Sequence, residues 1–270
     1  NLHYNDEKFK TMSKKNINLK TKIKNNNLTL GSWITLYHPA IAEIMAKSGF
    51  DWLAVDLEHS VISIREAEEL IRVISLSGVT PLVRLTSNDR NQIKRVMDAG
   101  SHGVIVPMVN TADEAKKAVE AVHYPPEGRR GVGLARAQEY GTNLESYMKW
   151  LKDESIIIVQ IEDISAVENL EEIFSVSNID GFIIGPYDLS ASMGIPGEFD
   201  NPKFIDVVNK IKSTASQCKV CGGIHIIEPK PEELEKRIDD GYRFLAYSLD
   251  IRMLDVSCKN GIQHIKELKI

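Results

Sequence analysis

A short apolar run followed by an amphipathic stretch recurs eight times after residue 28. The runs are rich in β-branched residues and too short for helices, which is typical of buried parallel strands. The predicted strands are 29–36, 51–56, 80–85, 103–109, 156–161, 181–184, 220–227 and 243–248. Eight such units in about 240 residues predict an α/β fold of the (β/α)₈ TIM barrel type, formed as a single domain.

The sequence also bears on the alternative fold and on where the barrel domain begins. An open, doubly wound sheet shows the same alternation, but its dinucleotide-binding forms carry G-x-G-x-x-G after the first strand, and this chain does not. Residues 1–27 are rich in Lys and Asn and lack apolar periodicity, apart from a short helical pattern around 17–23. We interpret 1–27 as a flexible, basic leader, disordered or tag-like, and 28–270 as the barrel domain.

Composition excludes several classes of function. The net charge of -5 argues against nucleic acid as the main partner. No apolar run approaches the roughly 18 residues that cross a bilayer, and the first residues lack the apolar stretch of a secretory signal. We therefore expect a cytoplasmic protein that does not bind membranes. The three cysteines, Cys218, Cys221 and Cys258, are too few and too oddly numbered for a disulfide framework.

Polar residues cluster at the ends of the predicted strands, where the chemistry of such barrels takes place. They are Asp56, His59, Arg84, Gln160, Glu162 and Asp188. Glu162 and Asp188 follow successive strands, so the two carboxylates would converge as a seat for a hard divalent cation. A carboxylate at a strand end also often caps the next helix. The joint occurrence of acids, an imidazole and a guanidinium at one rim therefore favours a functional site.

Five motifs carry a family resemblance. They are Asp56-Leu-Glu-His59, Arg84 with Asn88-Asp89, Tyr124-Pro-Pro-Glu-Gly-Arg-Arg-Gly-Val-Gly133, Val159-Gln-Ile-Glu162 and Gly185-Pro-Tyr-Asp-Leu-Ser190. Together they resemble the motifs of the HpcH/HpaI family of metal-dependent, class II pyruvate aldolases. The resemblance runs from about residue 19 to the last predicted helix. It implies a barrel, a divalent metal, and cleavage of a 4-hydroxy-2-oxo acid to pyruvate and an aldehyde, by a homo-oligomer that is a trimer or hexamer.

The resemblance also implies roles for individual residues. Glu162 and Asp188 would hold Mg²⁺, Mn²⁺ or Co²⁺, leaving coordination positions to water and to the substrate. Arg84 would donate to the 2-oxo oxygen, and the charge that develops on bond cleavage would be held as a metal-bound enolate. No Schiff-base lysine is required, and the strand ends that carry these residues place none at the rim.

His59 is the candidate acid and base, because an imidazole titrates close to neutral pH. Asp56 would orient its ring. Asp98 matches a family acid that approaches from a neighbouring subunit, although a solvent-facing residue in the last turn of a helix is an equal alternative. Glu58 is either a support for these groups or a surface acid.

Other residues concern the substrate. The backbone N–H groups of Tyr187 and Asp188, with Gln160 nearby, would receive the pyruvate carboxylate. Leu57 and Tyr187 replace the smaller residues common in relatives, and we expect both to add bulk near the pocket. His225 follows two glycines at the end of the seventh strand, where it either lines the pocket or packs structurally.

Two other functions are compatible with part of this pattern. A carbon-carbon lyase of the citrate lyase β-subunit or malyl-CoA lyase type shares the barrel and an arginine-plus-two-acids site, but it acts on a CoA thioester and needs a broad CoA-binding surface. No basic cluster around the rim argues for such a surface. A non-catalytic barrel serving as scaffold or sensor would have no physical need to keep Arg84, His59, Glu162 and Asp188 together.

Overall fold

The computed structural model describes residues 18–267. The strands are β1 (Thr29–Ile34), β2 (Trp52–Asp56), β3 (Thr80–Arg84), β4 (Gly103–Val106), β5 (Ile156–Ile161), β6 (Gly181–Ile184), β7 (Cys221–Ile226) and β8 (Phe244–Leu249). The helices are α1 (Leu19–Lys24), α2 (Pro39–Lys47), α3 (Ile64–Leu76), α4 (Arg90–Asp98), α5 (Ala112–Val122), α6 (Leu144–Glu154), α7 (Ile164–Glu168), α8 (Leu170–Phe174), α9 (Pro186–Ser192), α10 (Pro202–Cys218), α11 (Pro231–Asp239) and α12 (Asp250–Glu267). A 3₁₀ segment, Arg136–Gly141, precedes α6.

The eight strands are parallel and follow one another in chain order around a closed barrel, in which β8 pairs with β1. The predicted (β/α)₈ fold and all eight predicted strands are confirmed. The fourth strand ends at Val106 rather than at residue 109. Pro107 has no N–H to continue the ladder, and Met108 adopts a left-handed backbone with φ of 52°.

Helix α3 illustrates how the sequence specifies the outer layer. The Ser63 hydroxyl accepts from the Glu66 N–H while the Glu66 carboxylate accepts from the Ser63 N–H, which fixes the first turn. Its buried residues, Ala67, Leu70, Ile71 and Ile74, recur every three or four positions and face the strands. Each such helix covers the outside of the barrel and delivers the next strand in parallel orientation.

The barrel interior is filled by large side chains. The indole ring of Trp52 stacks on Phe244 with centroids 4.4 Å apart, and Trp33 meets Trp52 edge-on at 6.0 Å. Gly31 lies against Trp52, and any side chain there would overlap the indole ring. Because side chains occupy the middle of the barrel, the ends of the strands are where a substrate would find room.

The assignment of 1–27 to a disordered leader is wrong for residues 18–27. Leu19 and Ile23, four positions apart, are buried in the same cluster as the barrel interior. Between them Lys20 is only 4% exposed; its Nζ lies 2.9 Å from Asp180 Oδ1 and donates to the Ser155 carbonyl at 2.5 Å. This one-sided spacing lets α1 close the amino-terminal mouth of the barrel. Residues 1–17 lie outside the described part of the chain.

The ion pair of Lys20 gives the first testable prediction. Lys20→Ala would leave Asp180 buried without its partner, and we expect a loss of about 3–5 kcal/mol in the free energy of unfolding. Lys22→Ala is the matched control, because Lys22 pairs with Asp51 at a partly exposed site, with the side chains 30% and 25% exposed, and should contribute less than about 1 kcal/mol. Urea unfolding of both variants measures the difference, and equal losses would contradict this role of α1.

Within residues 18–267, no helix has both the length and the apolar character required to cross a membrane.

Candidate functional site

The polar residues predicted at the strand ends come together at the carboxyl-terminal rim of the barrel. A cavity of about 270 Å³ opens there. Its lining includes the predicted residues Asp56, His59, Arg84, Gln160, Tyr187 and Asp188. Glu162 lies beside it, 3% exposed and hydrogen-bonded to Gln160. The geometry therefore assembles one site from the ends of β2, β3, β5 and β6.

Arg84 is held by a buried carboxylate. Its Nε donates to Asp56 Oδ1 at 2.8 Å and its Nη2 donates to Asp56 Oδ2 at 2.6 Å. The guanidinium also packs over the ring of Trp33, with Cζ 4.3 Å from the centroid. Such a two-pronged pair fixes the plane of the guanidinium, and Nη1 has no protein hydrogen bond within the described chain. Arg84, which lines the cavity, therefore has its Nη1 amino group held in a fixed orientation without a protein partner in the described chain.

Asp56 does not orient the His59 ring, contrary to the prediction. Besides Arg84, its Oδ1 accepts the backbone N–H groups of Glu58, at 3.0 Å, and His59, at 3.3 Å. Asp56 thus fixes the backbone of the loop that carries His59. The imidazole itself is 60% exposed, and its Nε2 lies 3.7 Å from Glu58 Oε2. Glu58 is therefore the acid beside the ring.

Glu162 and Asp188 both lie close to Gly185. A Cβ at Gly185 would be 2.9 Å from Glu162 Oε2 and 3.7 Å from Asp188 Oδ2, so the space between the carboxylates exists because residue 185 has no side chain. Neither acid caps a helix: Asp163 caps α7 by accepting from Ser165, and α9 has no side-chain cap. Asp163 thus serves as the helix cap that a carboxylate at a strand end often provides. Glu162 and Asp188 are not used as caps and are available for chemistry.

The site concentrates negative charge away from water. Burial raises the pKa of Glu162, and the nearby charges of Glu58 and Asp188 raise it further, against hydrogen bonds from Gln160 and from the Met108 N–H. Burial likewise raises the pKa of Glu58, although the positive charge of Arg84 opposes this. A cation between these acids would relieve both effects.

The donor set fits a hard divalent ion. Glu162 and Asp188 offer carboxylate oxygens, which Mg²⁺ and Mn²⁺ prefer. Residues 18–267 contain no group of three or more His, Cys, Asp or Glu side chains arranged to hold a metal. An ion here would therefore have two protein carboxylates, and water or substrate oxygens would complete its coordination. No lysine is among the described residues that line the cavity.

Sequence reasoning missed the contribution of Met108 to the site. The backbone N–H of Met108, after β4, donates to Glu162 Oε1 at 2.7 Å. Its φ of 52° is uncommon for a residue with a side chain, and in that conformation the N–H reaches the carboxylate. Pro107 is a sign of a break after the strand, but nothing in the side chain of Met108 indicates the contact.

Trp33 is a buried residue that also lines the cavity. Leu57 does not add bulk to the cavity as expected. It is 4% exposed and packs in the cluster between strands and helices, because successive strand residues face opposite sides. Tyr187 does line the cavity; the residue is 53% exposed, and its ring meets Phe199 edge-on at 4.9 Å.

Asp98 is separate from this site within one chain. It ends α4, which runs from the rim toward the opposite end of the barrel. There Asp98 Oδ1 accepts from Arg130 Nη2 at 2.5 Å, and the Arg130 side chain is fully buried. The solvent-facing alternative is incorrect, since the Asp98 side chain is 18% exposed and paired. The approach of Asp98 from a neighbouring subunit stays a prediction.

Comparison with known proteins now identifies the family. Residues 29–255 match the HpcH/HpaI aldolase/citrate lyase family. The chain belongs to the HpcH/HpaI family. This confirms the resemblance drawn from the motifs, and the matched region contains all eight strands and every predicted site residue.

The relatives are aldolases. The 2-dehydro-3,6-dideoxy-6-sulfogluconate aldolase of Pseudomonas putida is 37% identical over 234 residues, covering 86% of this chain and 90% of that protein. The hydroxypyruvate/pyruvate aldolase of Sagittula stellata is 37% identical over 240 residues, covering 87% and 92%. This HpcH/HpaI protein is accordingly an aldolase, a carbon-carbon lyase of the class II type. The relatives favour that prediction over the CoA-thioester lyase.

A solved structure agrees with the fold. A HpcH/HpaI aldolase/citrate lyase family protein from Burkholderia cenocepacia J2315 is similar with a TM-score of 0.87 and 27% identity. The match covers 93% of this chain and 100% of that one. The likeness extends over the whole barrel rather than over the site alone.

Proposed function

We propose that this aldolase cleaves a 4-hydroxy-2-oxo acid to pyruvate and an aldehyde, and runs the reverse condensation, with a divalent metal held by Glu162 and Asp188. The observation that carries the proposal is the pair of carboxylates around Gly185, with the fixed guanidinium of Arg84 at the same rim. An acid pair that could hold a cation, next to a permanent positive charge, suits a reaction in which negative charge develops on the substrate.

Mg²⁺, Mn²⁺ or Co²⁺ would suit these two carboxylates, and when bound the ion supplies Lewis-acid polarisation of the substrate's 2-oxo group. Gln160 positions Glu162 by donating to its Oε2, while the Met108 N–H holds the other oxygen. Both hydrogen bonds favour the charged carboxylate that a cation requires. The chain thus fixes one ligand before any substrate enters.

Arg84 stabilises the charge that appears when the C3–C4 bond breaks. Its guanidinium is protonated at any working pH, and Asp56 holds it without reaching Nη1. We assign the Nη1 N–H to the oxygen that becomes negative. Since the orientation is set in the folded protein, little reorganisation accompanies the reaction.

His59 is assigned to the C4 hydroxyl proton. Its side chain is 60% exposed and can exchange protons with solvent, and its Nε2 lies 3.7 Å from Glu58 Oε2. The backbone N–H groups of Tyr187 and Asp188 begin α9 beside the cavity without a side-chain cap, which supports their assignment to the substrate carboxylate together with Gln160.

The test is to incubate the purified protein with Mg²⁺ or Mn²⁺, pyruvate and a panel of aldehydes, and to follow adduct formation by NMR. We expect a 4-hydroxy-2-oxo acid with at least one aldehyde. Removal of metal with a chelator should abolish the reaction, and adding back Mg²⁺ or Mn²⁺ should restore it. Full activity after chelation would contradict the metal's role. Reaction with acyl-CoA thioesters but with no aldehyde would contradict the proposed function.

Gly185→Ala gives a prediction specific to this site. The added methyl group would lie 2.9 Å from Glu162 Oε2, so the carboxylate must move or the space for the ion is filled. We expect a loss of activity and a weaker affinity for Mn²⁺, measured by titration calorimetry, with little change in the thermal midpoint. Gly133→Ala is the control, because a Cβ there meets nothing within 4 Å. Unchanged metal affinity in Gly185→Ala would contradict the assigned position of the ion.

We further propose that the enzyme is a homo-oligomer, a trimer or hexamer as the resemblance implies. Helix α12 supports this, because Asp250 is its only buried residue within the described chain. Its side chains Ile251, Leu254, Ile262 and Ile265 are 45–61% exposed. A second copy of the chain would cover these apolar side chains. Light scattering should give three or six chains, and Ile262→Lys with Ile265→Lys should shift the protein toward smaller species; a monomeric wild type would contradict the proposal.

A further inference from the structure

A second cavity lies outside the barrel, between α10 and α11. Its volume is about 470 Å³, which is within the range of about 300–1,000 Å³ that is typical of small-molecule sites. Ile224 and Ile226 of β7, which face the helix layer, are part of its floor. Four residues line both this cavity and the catalytic one: Pro186, Tyr187, His225 and Ile227. The second cavity is therefore next to the catalytic cavity, but on the other side of the strands.

The space exists because α11 packs only loosely on β7. A barrel helix normally buries an apolar stripe against the strands, as α10 does with Phe204 and Ile211. In contrast, none of the nine residues of α11, which lies wholly within the described chain, is buried. Its apolar residues Leu234 and Ile238 are only partly covered. Such a narrow stripe leaves the floor of the cavity open to a ligand.

Apolar side chains form a continuous wall along one side of the cavity. The rings of Tyr187 and Phe199 meet edge-on with centroids 4.9 Å apart, and Phe199 lies 5.5 Å from Phe204. Val208 continues this surface one turn further along α10. An apolar chain bound here would be removed from water on several sides, which is the main source of affinity for such a group.

Lys212 adds a positive charge to the same wall. It is partly buried on α10, and its Nζ lies 5.5 Å from the ring centroid of Tyr242, which also lines the cavity. Among residues 18–267, no carboxylate lies within 4 Å of this Nζ. A charged group that is partly removed from water is stabilised by a partner of opposite charge. The position of Lys212 therefore favours an anion in the cavity.

The acids of the cavity do not supply that partner. They are Asp200, Glu228, Glu233 and Asp240. Glu228 accepts from Arg252 Nε at 3.0 Å and from Nη2 at 2.8 Å. Glu233 and Asp240 both pair with Arg237, at 3.7 and 3.2 Å. Asp200 is exposed. The charge available to a ligand inside the cavity is therefore the positive charge of Lys212.

We propose that this cavity binds a small carboxylate that carries an apolar chain. The carboxylate pairs with Lys212, and the chain lies against Phe204, Val208 and Ile224. A neutral apolar molecule would leave Lys212 without a partner, whereas a small, fully polar anion would leave the apolar wall uncovered. The site is separate from the catalytic cavity, so its binding of ligand does not depend on the proposed reaction.

The test titrates the full chain with octanoate and follows binding by calorimetry. Octanoate should bind at one site, and two analogues that each lack one feature, 1-octanol and acetate, should bind at least about tenfold more weakly. Lys212→Met keeps the length of the side chain but removes its charge. It should weaken octanoate binding about tenfold or more and leave the affinity for 1-octanol unchanged.

Two further variants locate the site. Lys210→Met is the matched control, since Lys210 is an exposed lysine of the same helix that does not line the cavity. It should bind octanoate as wild type does. Val208→Trp fills the cavity and should abolish the binding of both octanoate and 1-octanol. Thermal unfolding of each variant shows that it is folded.

Several results would overturn the proposal. Wild type might show no saturable binding of octanoate, or Lys212→Met and Lys210→Met could bind it equally well. Displacement of octanoate by saturating pyruvate and Mg²⁺ would place it in the catalytic cavity instead. None of these measurements requires turnover, so failure of the proposed aldol reaction would leave the result for this cavity intact, and the reverse holds as well.

Discussion

Replacing Glu162 or Asp188 with alanine will lower kcat/KM by more than about 10³-fold, because each change removes one of the two proposed protein ligands of the metal and with it several kcal/mol of Lewis-acid stabilisation. Affinity for Mn²⁺ should fall in parallel, as measured by calorimetry. Loss of activity with metal affinity intact would assign these acids a different role. Proton transfer or substrate contact would then be the alternative.

The control for this experiment is Glu172→Ala, which removes an exposed acid of α8 away from the rim. It should bind metal and turn over substrate as wild type does. The two ligand variants should remain folded, because removing Glu162 or Asp188 reduces repulsion among acids that already raise the pKa of Glu162. Their thermal midpoints should equal or exceed that of wild type, and a collapse in stability would attribute the loss of activity to unfolding.

Arg84→Lys should lower kcat/KM by about 10²–10³-fold, the effect of removing a charge-stabilising donor from a buried site. A lysine keeps the positive charge, but its ammonium group cannot bind both oxygens of Asp56 and present a further N–H in a fixed direction. The loss should appear mainly in kcat, because the interaction strengthens as charge develops. Steady-state kinetics with the aldehyde found to be most active would measure it.

Arg72→Lys is the matched control, since Arg72 makes a surface ion pair with Glu68 one turn away on α3. It should change turnover by less than about twofold, in line with the small contribution of exposed pairs. If Arg84→Lys behaved in the same way, the guanidinium would have to be removed from the proposed chemistry and treated as a structural partner of Asp56.

Much of this molecule could be predicted from sequence because the relevant information is local. The period of the apolar residues marks each strand, and the barrel then places every strand end at one rim. That rule alone brought Glu162, Asp188 and Arg84 together. The same rule places Asp56 at this rim. Asp56 binds Arg84 rather than the His59 ring, because the register between β2 and β3 sets Asp56 beside Arg84.

The features that sequence could not predict depend on long-range packing. The pairing of Lys20 with Asp180 joins residues 160 positions apart, so the amino-terminal helix looked like solvated leader. Leu57 faces the core because of which side of the sheet it falls on. Asp98 pairs with Arg130, a contact that forms only once α4 and the loop after α5 have packed. Each of these residue types occurs in several environments in proteins. The tertiary structure determines which environment the residue occupies here.

The contact between Met108 and Glu162 has a consequence for engineering and for natural variation. The carboxylate is held by a main-chain N–H, while the side chain of residue 108 is 47% exposed. Residue identity at this position is therefore free to change so long as the left-handed turn is kept. Asparagine or glycine should be tolerated, whereas valine or isoleucine should not. In a library that randomises position 108, the active clones should carry residues that readily adopt a left-handed backbone conformation. The chemistry of their side chains should matter little.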